Sequence, residues 1–168
     1  MELQAKRALA RLVEASTDYK TARLIARTVQ SRSLFHAQQC IEKSLKACLS
    51  KVLIGEIKVH EVVKLLKQKI LPLVSQKLQQ QFLEIEKEAF WIEKRWIDSR
   101  KEEVGENGEI LLPTLRFQKL DAKECLFAAQ KTFRWSHSAV TELFGVRLPK
   151  SHSQLLQLAE KELGPVSP

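Results

Sequence analysis

The sequence predicts an all-α protein: an antiparallel, up-and-down bundle of four long helices plus a short helix, with a further short helix appended at the C-terminus. Only five glycines and five prolines interrupt its 168 residues. Apolar residues recur at spacings of three and four, which is typical of amphipathic helices. The residues between them are mostly strong helix formers. We assign residues 1–145 to the bundle and residues 146–168 to the C-terminal appendage.

Heptad-like apolar stripes predict the first two long helices. The first runs from about Glu2 to Gln30, and its stripe is mostly alanine, so a neighbouring helix can approach closely. The second begins after the capping serines of residues 31–33 and extends to about Leu53, with Gly55 in the position that ends a helix. The two stripes are Ala5, Ala8, Leu12, Ala15, Tyr19, Ala22, Ala26 and Val29, then Leu34, Ala37, Ile41, Leu45, Cys48 and Val52.

Proline and glycine delimit the later helices. We expect a short helix at residues 59–70 that stops before Pro72, because proline disfavours helical backbone in the residue before it. A long helix follows at residues 73–96, and another at residues 119–144 that ends at Gly145. The apolar stripe of the 73–96 helix is Leu78, Phe82, Ile85, Ala89 and Ile92.

The segment between the last two long helices, residues 98–118, contains several helix-breaking residues. Its Asn107-Gly108 pair could form the tip of a small hairpin, but the flanking residues barely alternate in polarity. We therefore expect an ordered loop that clamps across the helices. The residues expected to be buried beneath this clamp are Ile110, Leu111, Leu112 and Leu115.

The appended helix has distinct boundary signals. Ser151 is the expected N-cap, Gln154 is its capping-box partner three residues later, and Gly164 follows the last turn. Since residues 1–145 are expected to close the bundle by themselves, we expect deletion of the appendage to cost little stability.

The positive charge is concentrated near the N-terminus. The formal net charge is +8, and residues 1–60 carry 11 Lys and Arg against 5 Asp and Glu, a difference of +6. Basicity is therefore a property of the first two helices. Such a surface suits a nucleic acid, a nucleotide phosphate or an acidic protein. The alternative is a solvated surface whose charge keeps the protein soluble.

Composition also limits the compartment and the chemistry. We expect no membrane association and no signal peptide, because no run of 18 apolar residues occurs and charges are scattered through the N-terminus. Cys40 and Cys48 would lie ~12 Å apart along one helix, beyond disulfide reach. His36 and Cys40 share a helix face without a third metal ligand in sequence reach. These features predict a reduced, cytoplasmic protein with no metal and no cofactor.

Residues 33–66 contain an aromatic, a small residue, Gln-Gln, Glu-Lys and Lys-Ala, followed by a helix break and a histidine before an apolar run. The matching residues are Phe35, Ala37, Gln38, Gln39, Glu42, Lys43, Lys46, Ala47 and His60. This stretch resembles the HEPN domains, small all-α proteins of archaea and bacteria. Residues 95–98, "RWID", are similar to the Arg-Tyr-Pro-Asp element of that family, with Trp and Ile in place of Tyr and Pro. The resemblance covers roughly residues 5–145.

The resemblance implies a homodimer that associates with a nucleotide or RNA. Some HEPN proteins pair with small nucleotidyltransferases in two-component, toxin–antitoxin-like systems, and others are metal-independent ribonucleases with an Arg-x(4–6)-His motif. We predict a non-catalytic binding module with a nucleotidyltransferase partner. The alternatives are a metal-independent ribonuclease and a structural dimeric adaptor.

Arg147 and His152 are the catalytic candidates, because the four residues between them satisfy the spacing of the ribonuclease motif. This pair spans Pro149 and lies in the appendage rather than on a bundle helix. A motif without its structural context carries little weight. We therefore expect no RNA cleavage.

A polar row on the second helix is the predicted nucleotide- or anion-binding site. It steps by three, four and three residues, so its members share the face opposite the core. Two arginines of the first helix could reach the same groove. The alternatives are a dimer seam and an ordinary solvated face. The predicted site residues are His36, Gln39, Lys43, Lys46, Arg23 and Arg27.

Overall fold

The computed structural model describes residues 1–55, 62–94, 103–104, 107, 110–113 and 117–164. Within these ranges the chain forms six α-helices, which confirms the predicted all-α class. The four long helices contain 19 to 26 residues each. The helices are α1 (Leu3–Ile25), α2 (Gln30–Leu49), α3 (Val62–Lys69), α4 (Gln76–Lys94), α5 (Lys119–Phe144) and α6 (His152–Leu163), with a 3-10 turn at Leu71–Leu73 between α3 and α4.

The core forms where α2 packs against α1 and α5, and where α4 packs against α5. The alanine stripe of α1 is buried, with Ala8, Ala15 and Ala22 fully excluded from solvent, which allows the close approach of α2. All five predicted stripe residues of α4 are buried. Trp135 of α5 packs against Phe82 of α4 with ring centroids 4.9 Å apart. The indole N–H of this tryptophan donates to a backbone carbonyl of α4 at 2.8 Å.

The structure corrects the predicted bounds of α2. Ser33 lies inside the helix, and its hydroxyl donates to the Ala22 carbonyl at 2.9 Å, which joins α2 to the last turns of α1. This tertiary hydrogen bond replaces the predicted capping role. The helix ends at Leu49, with Ser50 as its C-cap, rather than at about Leu53, and Val52 is 39 % exposed instead of facing the core.

A small hairpin replaces part of the loop expected between α4 and α5. Strand β1 (Glu103–Val104) pairs antiparallel with strand β2 (Ile110–Leu111), and Asn107 lies in the intervening turn. Such a short pair of strands depends on the turn residues rather than on alternating polarity. The weak alternation of the flanking residues therefore did not indicate the hairpin. The prediction that Ile110 and Leu112 are buried beneath a clamp is wrong, because these residues are 67 % and 48 % exposed. The side chains of the other two predicted clamp residues lie outside the described set.

The predicted bounds of the last two helices are confirmed. Gly145 ends α5 in a left-handed conformation, with φ at 63°. The Ser151 hydroxyl caps α6 by accepting from the Gln154 backbone N–H. The appended helix packs along α1, where Leu155 is fully buried beside Leu9. None of the described helices has the length and apolar character needed to span a bilayer.

Candidate anion-binding cleft

The polar row of α2 meets a buried carboxylate of α1. Asp18 is 8 % exposed. One of its carboxylate oxygens lies 2.8 Å from His36 Nδ1, and the other lies 2.7 Å from Lys43 Nζ. Lys43 also lies 3.3 Å from Glu14. Burial alone would lower the pKa of Lys43, but the hydrogen bonds and charges of Asp18 and Glu14 outweigh it and raise this pKa. The row therefore ties α2 to α1.

The rest of the row is paired within α2. Lys46 Nζ lies 2.7 Å from Glu42 in an i,i+4 ion pair. The Gln39 amide donates to the Gln38 side chain at 2.7 Å, and Gln38 in turn donates to Glu42 at 2.9 Å. Both lysines of the predicted groove therefore already have a carboxylate partner, and an incoming anion would have to compete with it.

The buried thiols provide no alternative chemistry at this face. Cys40 and Cys48 are free and fully buried. Burial raises the pKa of each thiol to about 12. A thiol with such a pKa is protonated at neutral pH and is a poor nucleophile.

The two arginines of the predicted site differ from each other in their surroundings. The guanidinium of Arg23 lies 5.9 Å from the centroid of the Tyr19 ring. This arginine lines a cleft between α1, α5 and the start of α6. Arg27 is exposed in the turn after α1 and is not among the described residues that line this cleft. Neither Lys43 nor Lys46 is among the described residues that line the cleft with Arg23.

The cleft that contains Arg23 has a volume of about 660 Å³. Its described lining residues include four cationic side chains and no Asp or Glu. The four cationic groups come from three different segments of the chain. An enclosed surface of one sign focuses the field on a ligand of opposite charge. The lining residues are Ser16, Tyr19, Lys20 and Arg23 of α1, Gln130, Phe133, Arg134, His137 and Ser138 of α5, and Lys150 and His152.

Two histidines of the cleft have defined hydrogen bonds. His137 Nε2 lies 3.0 Å from the Pro149 carbonyl, and because a carbonyl only accepts, this nitrogen carries the proton. His152 Nδ1 lies 2.9 Å from the Ser16 hydroxyl. Burial and the charge of Lys20 lower the pKa of His152, so its imidazole is neutral at pH 7 and Nδ1 can accept from the serine.

One wall of the cleft is aromatic. Phe133 and His137 lie one turn apart on α5, with ring centroids 6.4 Å apart. Tyr19 and Phe133 are both partly buried. Such rings offer a planar group a surface on which to stack, next to cations that can hold its charge.

The two catalytic candidates differ in their relation to the cleft. His152 lies in the cleft, whereas Arg147 is exposed and is not among the described lining residues. Conversely, the sequence interpretation did not select Lys20, Arg134 or Lys150 as site residues. A signal was available in Lys20 and Arg23, which lie one turn apart beside the alanine stripe of α1.

The helical fold and the basic cleft define a class of small all-α domains with a positively charged recess. A family model described as the HEPN domain matches residues 6–140, and the chain belongs to this family. The predicted resemblance is therefore confirmed. A search of curated proteins and a search of solved structures each returned no match. Lys150 and His152 lie beyond the matched residues.

Proposed function

We propose that this HEPN protein is a non-catalytic binding module that holds a nucleotide or RNA by its phosphates in the cleft between α1 and α5. The observation that carries the proposal is the set of cationic side chains in this recess, without a carboxylate among the described lining residues. Phosphate groups neutralise such a set directly and release their counterions.

The size and chemistry of the cleft support a nucleotide unit. Its volume of about 660 Å³ lies within the range of about 300–1,000 Å³ that is typical of small-molecule sites. Lys20, Arg23 and Arg134 supply charge for the phosphates. Tyr19 and Phe133 supply rings against which a base can stack.

The groove along α2 remains a prediction, and the ion pairs at its lysines favour the cleft over it. An anion at Lys43 would displace Asp18, and an anion at Lys46 would displace Glu42. Breaking a partly buried ion pair costs free energy, and the interaction of the lysine with the new anion must offset this cost. None of the described ion pairs involves a cation of the cleft, so an anion that binds there displaces no carboxylate among the pairs that the structure describes.

Family membership supports the proposed partners. We infer a homodimer that works with a small nucleotidyltransferase in a two-component, toxin–antitoxin-like system. The four long helices are proposed to run antiparallel in up-and-down order. The short connection of residues 26–29 between α1 and α2 supports this order, because short loops join antiparallel neighbours.

Calorimetric titration tests the site with two charge-matched variants. One removes two cleft cations (Lys20→Gln with Arg23→Gln), and the other removes two paired lysines of α2 (Lys43→Gln with Lys46→Gln). The probes are ATP and a short single-stranded RNA. We expect the cleft variant, which loses two charged contacts of about 1.5–3 kcal/mol each, to bind about a hundredfold or more weakly. The α2 variant should lose little. Loss confined to the α2 variant would place the site on the predicted row instead.

A metal-independent ribonuclease is the second candidate, and the position of His137 and His152 in one basic cleft favours it. Two imidazoles beside cations can act as general base and general acid on a phosphodiester. The test is incubation of the protein with RNA in the presence of a chelator. Cleavage that disappears in both His137→Ala and His152→Ala would establish the ribonuclease. Intact RNA that is nevertheless bound would support the binding module.

A further inference from the structure

The chain beyond the HEPN match returns across the basic cleft. After Gly145 ends α5, residues 146–151 lead to α6, which packs on α1. Leu155 and Ala159 of α6 are buried against Leu9 and Val13 of α1. We name residues 146–163 the C-terminal clasp. Because it leaves α5 and docks on α1, the clasp bridges both helices that form the cleft.

Two histidine hydrogen bonds anchor the clasp on opposite walls. His137 of α5 donates to the Pro149 carbonyl of the clasp at 3.0 Å. Ser16 of α1 is hydrogen-bonded to His152 of the clasp at 2.9 Å. These contacts lie on both sides of Lys150 in the chain. The position of this lysine is therefore fixed by one contact to each wall.

The clasp supplies part of the cleft. Lys150 is one of the four cations among the described lining residues, and His152 is one of the two lining imidazoles. Neither residue belongs to the matched family segment, which ends at residue 140. Without the clasp, the recess would keep Lys20, Arg23 and Arg134 but would lose one wall and one charge.

We propose that the C-terminal clasp completes the phosphate site, with Lys150 as a ligand-contacting residue, so that ligand binding and clasp docking stabilise each other. This inference rests on the proposed function of the cleft. Lys150 lines the cleft together with cations of both helices, and like charges in one recess repel one another, which opposes docking. A bound phosphate replaces this repulsion with attraction. By linkage, the ligand then strengthens docking by the same factor by which docking strengthens ligand binding.

ATP titration of the full-length protein tests the contact. We expect Lys150→Gln to weaken ATP binding by about tenfold, as for the loss of one charge-assisted contact, and Lys150→Arg to restore most of it. Lys161→Gln is the matched control, because Lys161 lies on α6, is exposed and does not line the cleft. It should leave the affinity unchanged.

Amide hydrogen exchange tests the coupling. We expect ATP to slow exchange in α6 of the wild type, and to do so less in Lys150→Gln. Leu155→Ala, which loosens docking without touching the cleft lining, should weaken ATP binding. A purely structural clasp would show none of these ligand-dependent changes.

The outcomes separate the two proposals. Wild-type binding that Lys150→Gln and Leu155→Ala leave unchanged would overturn the clasp while the cleft function stands. Tighter binding in Leu155→Ala would also overturn it, since the clasp would then obstruct the site. Absence of ATP binding and RNA binding by the wild type would overturn the cleft function and the clasp together.

Discussion

Asp18 of α1 and Lys43 of α2 form an ion pair at 2.7 Å across the interface between the two helices. The carboxylate also receives His36 at 2.8 Å. This arrangement gives the polar row of α2 a structural role, because Lys43 and His36 both contact Asp18 across the interface. It also explains how an acidic residue is tolerated beside the alanine stripe, where a lone buried charge would be costly.

Replacing Asp18 with asparagine is expected to destabilise the fold by about 1–3 kcal/mol. Asparagine carries no charge and has one acceptor oxygen where Asp18 has two, so it cannot serve both Lys43 and His36 at this partly buried site. Glu14→Gln is the control, since Glu14 also lies near Lys43 but its side chain is 64 % exposed, and exposed pairs contribute about 0–1 kcal/mol. Urea denaturation of both variants gives the comparison. Equal stability of Asp18→Asn and wild type would show that the pair does not hold the helices.

Leu155→Ala is expected to cost about 2–3 kcal/mol, because this leucine is fully buried where α6 packs on α1 and its truncation leaves a cavity. This expectation differs from the small cost predicted for deletion of the appendage from the sequence. Leu156→Ala on the same helix is the control, since Leu156 is 37 % exposed. Equal unfolding free energies for the two variants would support an appendage that contributes little to the fold.

His152 should make stability depend on pH. Its pKa is lowered by burial and by Lys20, so the unfolded chain binds its proton more readily than the native protein does. Stability should therefore fall as pH drops through the unfolded value near 6.5 and should level off below the lowered native value. The groups that face His152 in the cleft include Lys20, Lys150 and His137. Comparing the denaturation of wild type and His152→Asn from pH 8 to pH 5 isolates this contribution, and parallel curves would contradict it.

Strong local signals made much of the fold predictable. The bounds of α5 and α6 follow from glycine and capping residues, and the stripe of α4 is buried as its periodicity indicates. The start of α2 was not predictable in this way. Ser33 resembles a capping residue locally, but its hydroxyl bonds instead to α1 through tertiary packing.

The cleft depends on packing rather than on any local pattern. Lys20 and Arg134 are far apart in sequence and meet only because α1 and α5 are neighbours. Lys150 joins them because the chain turns at Gly145. Periodicity within a helix shows which residues share a face, but it does not specify which face of another helix packs against that face. The site predicted from the sequence therefore included Arg23 but not Lys20, Arg134 or Lys150.

The predicted homodimer can be tested by light scattering. The chain has a mass of 19.3 kDa, and we expect twice that value at micromolar concentration. The alanine stripe of α1 offers no dimer surface, because Ala8, Ala15 and Ala22 are buried in the core of a single chain. Exposed apolar side chains such as Leu83 and Phe127, at 61 % and 56 % exposure, are candidates for burial between two copies. A mass of 19.3 kDa throughout the concentration range would exclude the dimer.

Binding of RNA to the cleft should take up protons near neutral pH. The pKa of His152 is lowered in the free protein, so its imidazole is neutral at pH 7. A phosphodiester beside it favours the protonated form and raises this pKa. Affinity should therefore increase as pH falls from 7.5 to 6.

The measurement is calorimetry with an RNA oligonucleotide that lacks a terminal phosphate, in buffers of different ionisation enthalpy, so that the ligand itself does not titrate. The wild type should take up a fraction of a proton on binding, and His152→Asn should take up less. Because His137 lines the same cleft, His137→Asn separates the contributions of the two imidazoles. RNA binding without proton uptake in the wild type would mean that the phosphates do not approach His152, and would place the ligand at the far end of the cleft or on α2.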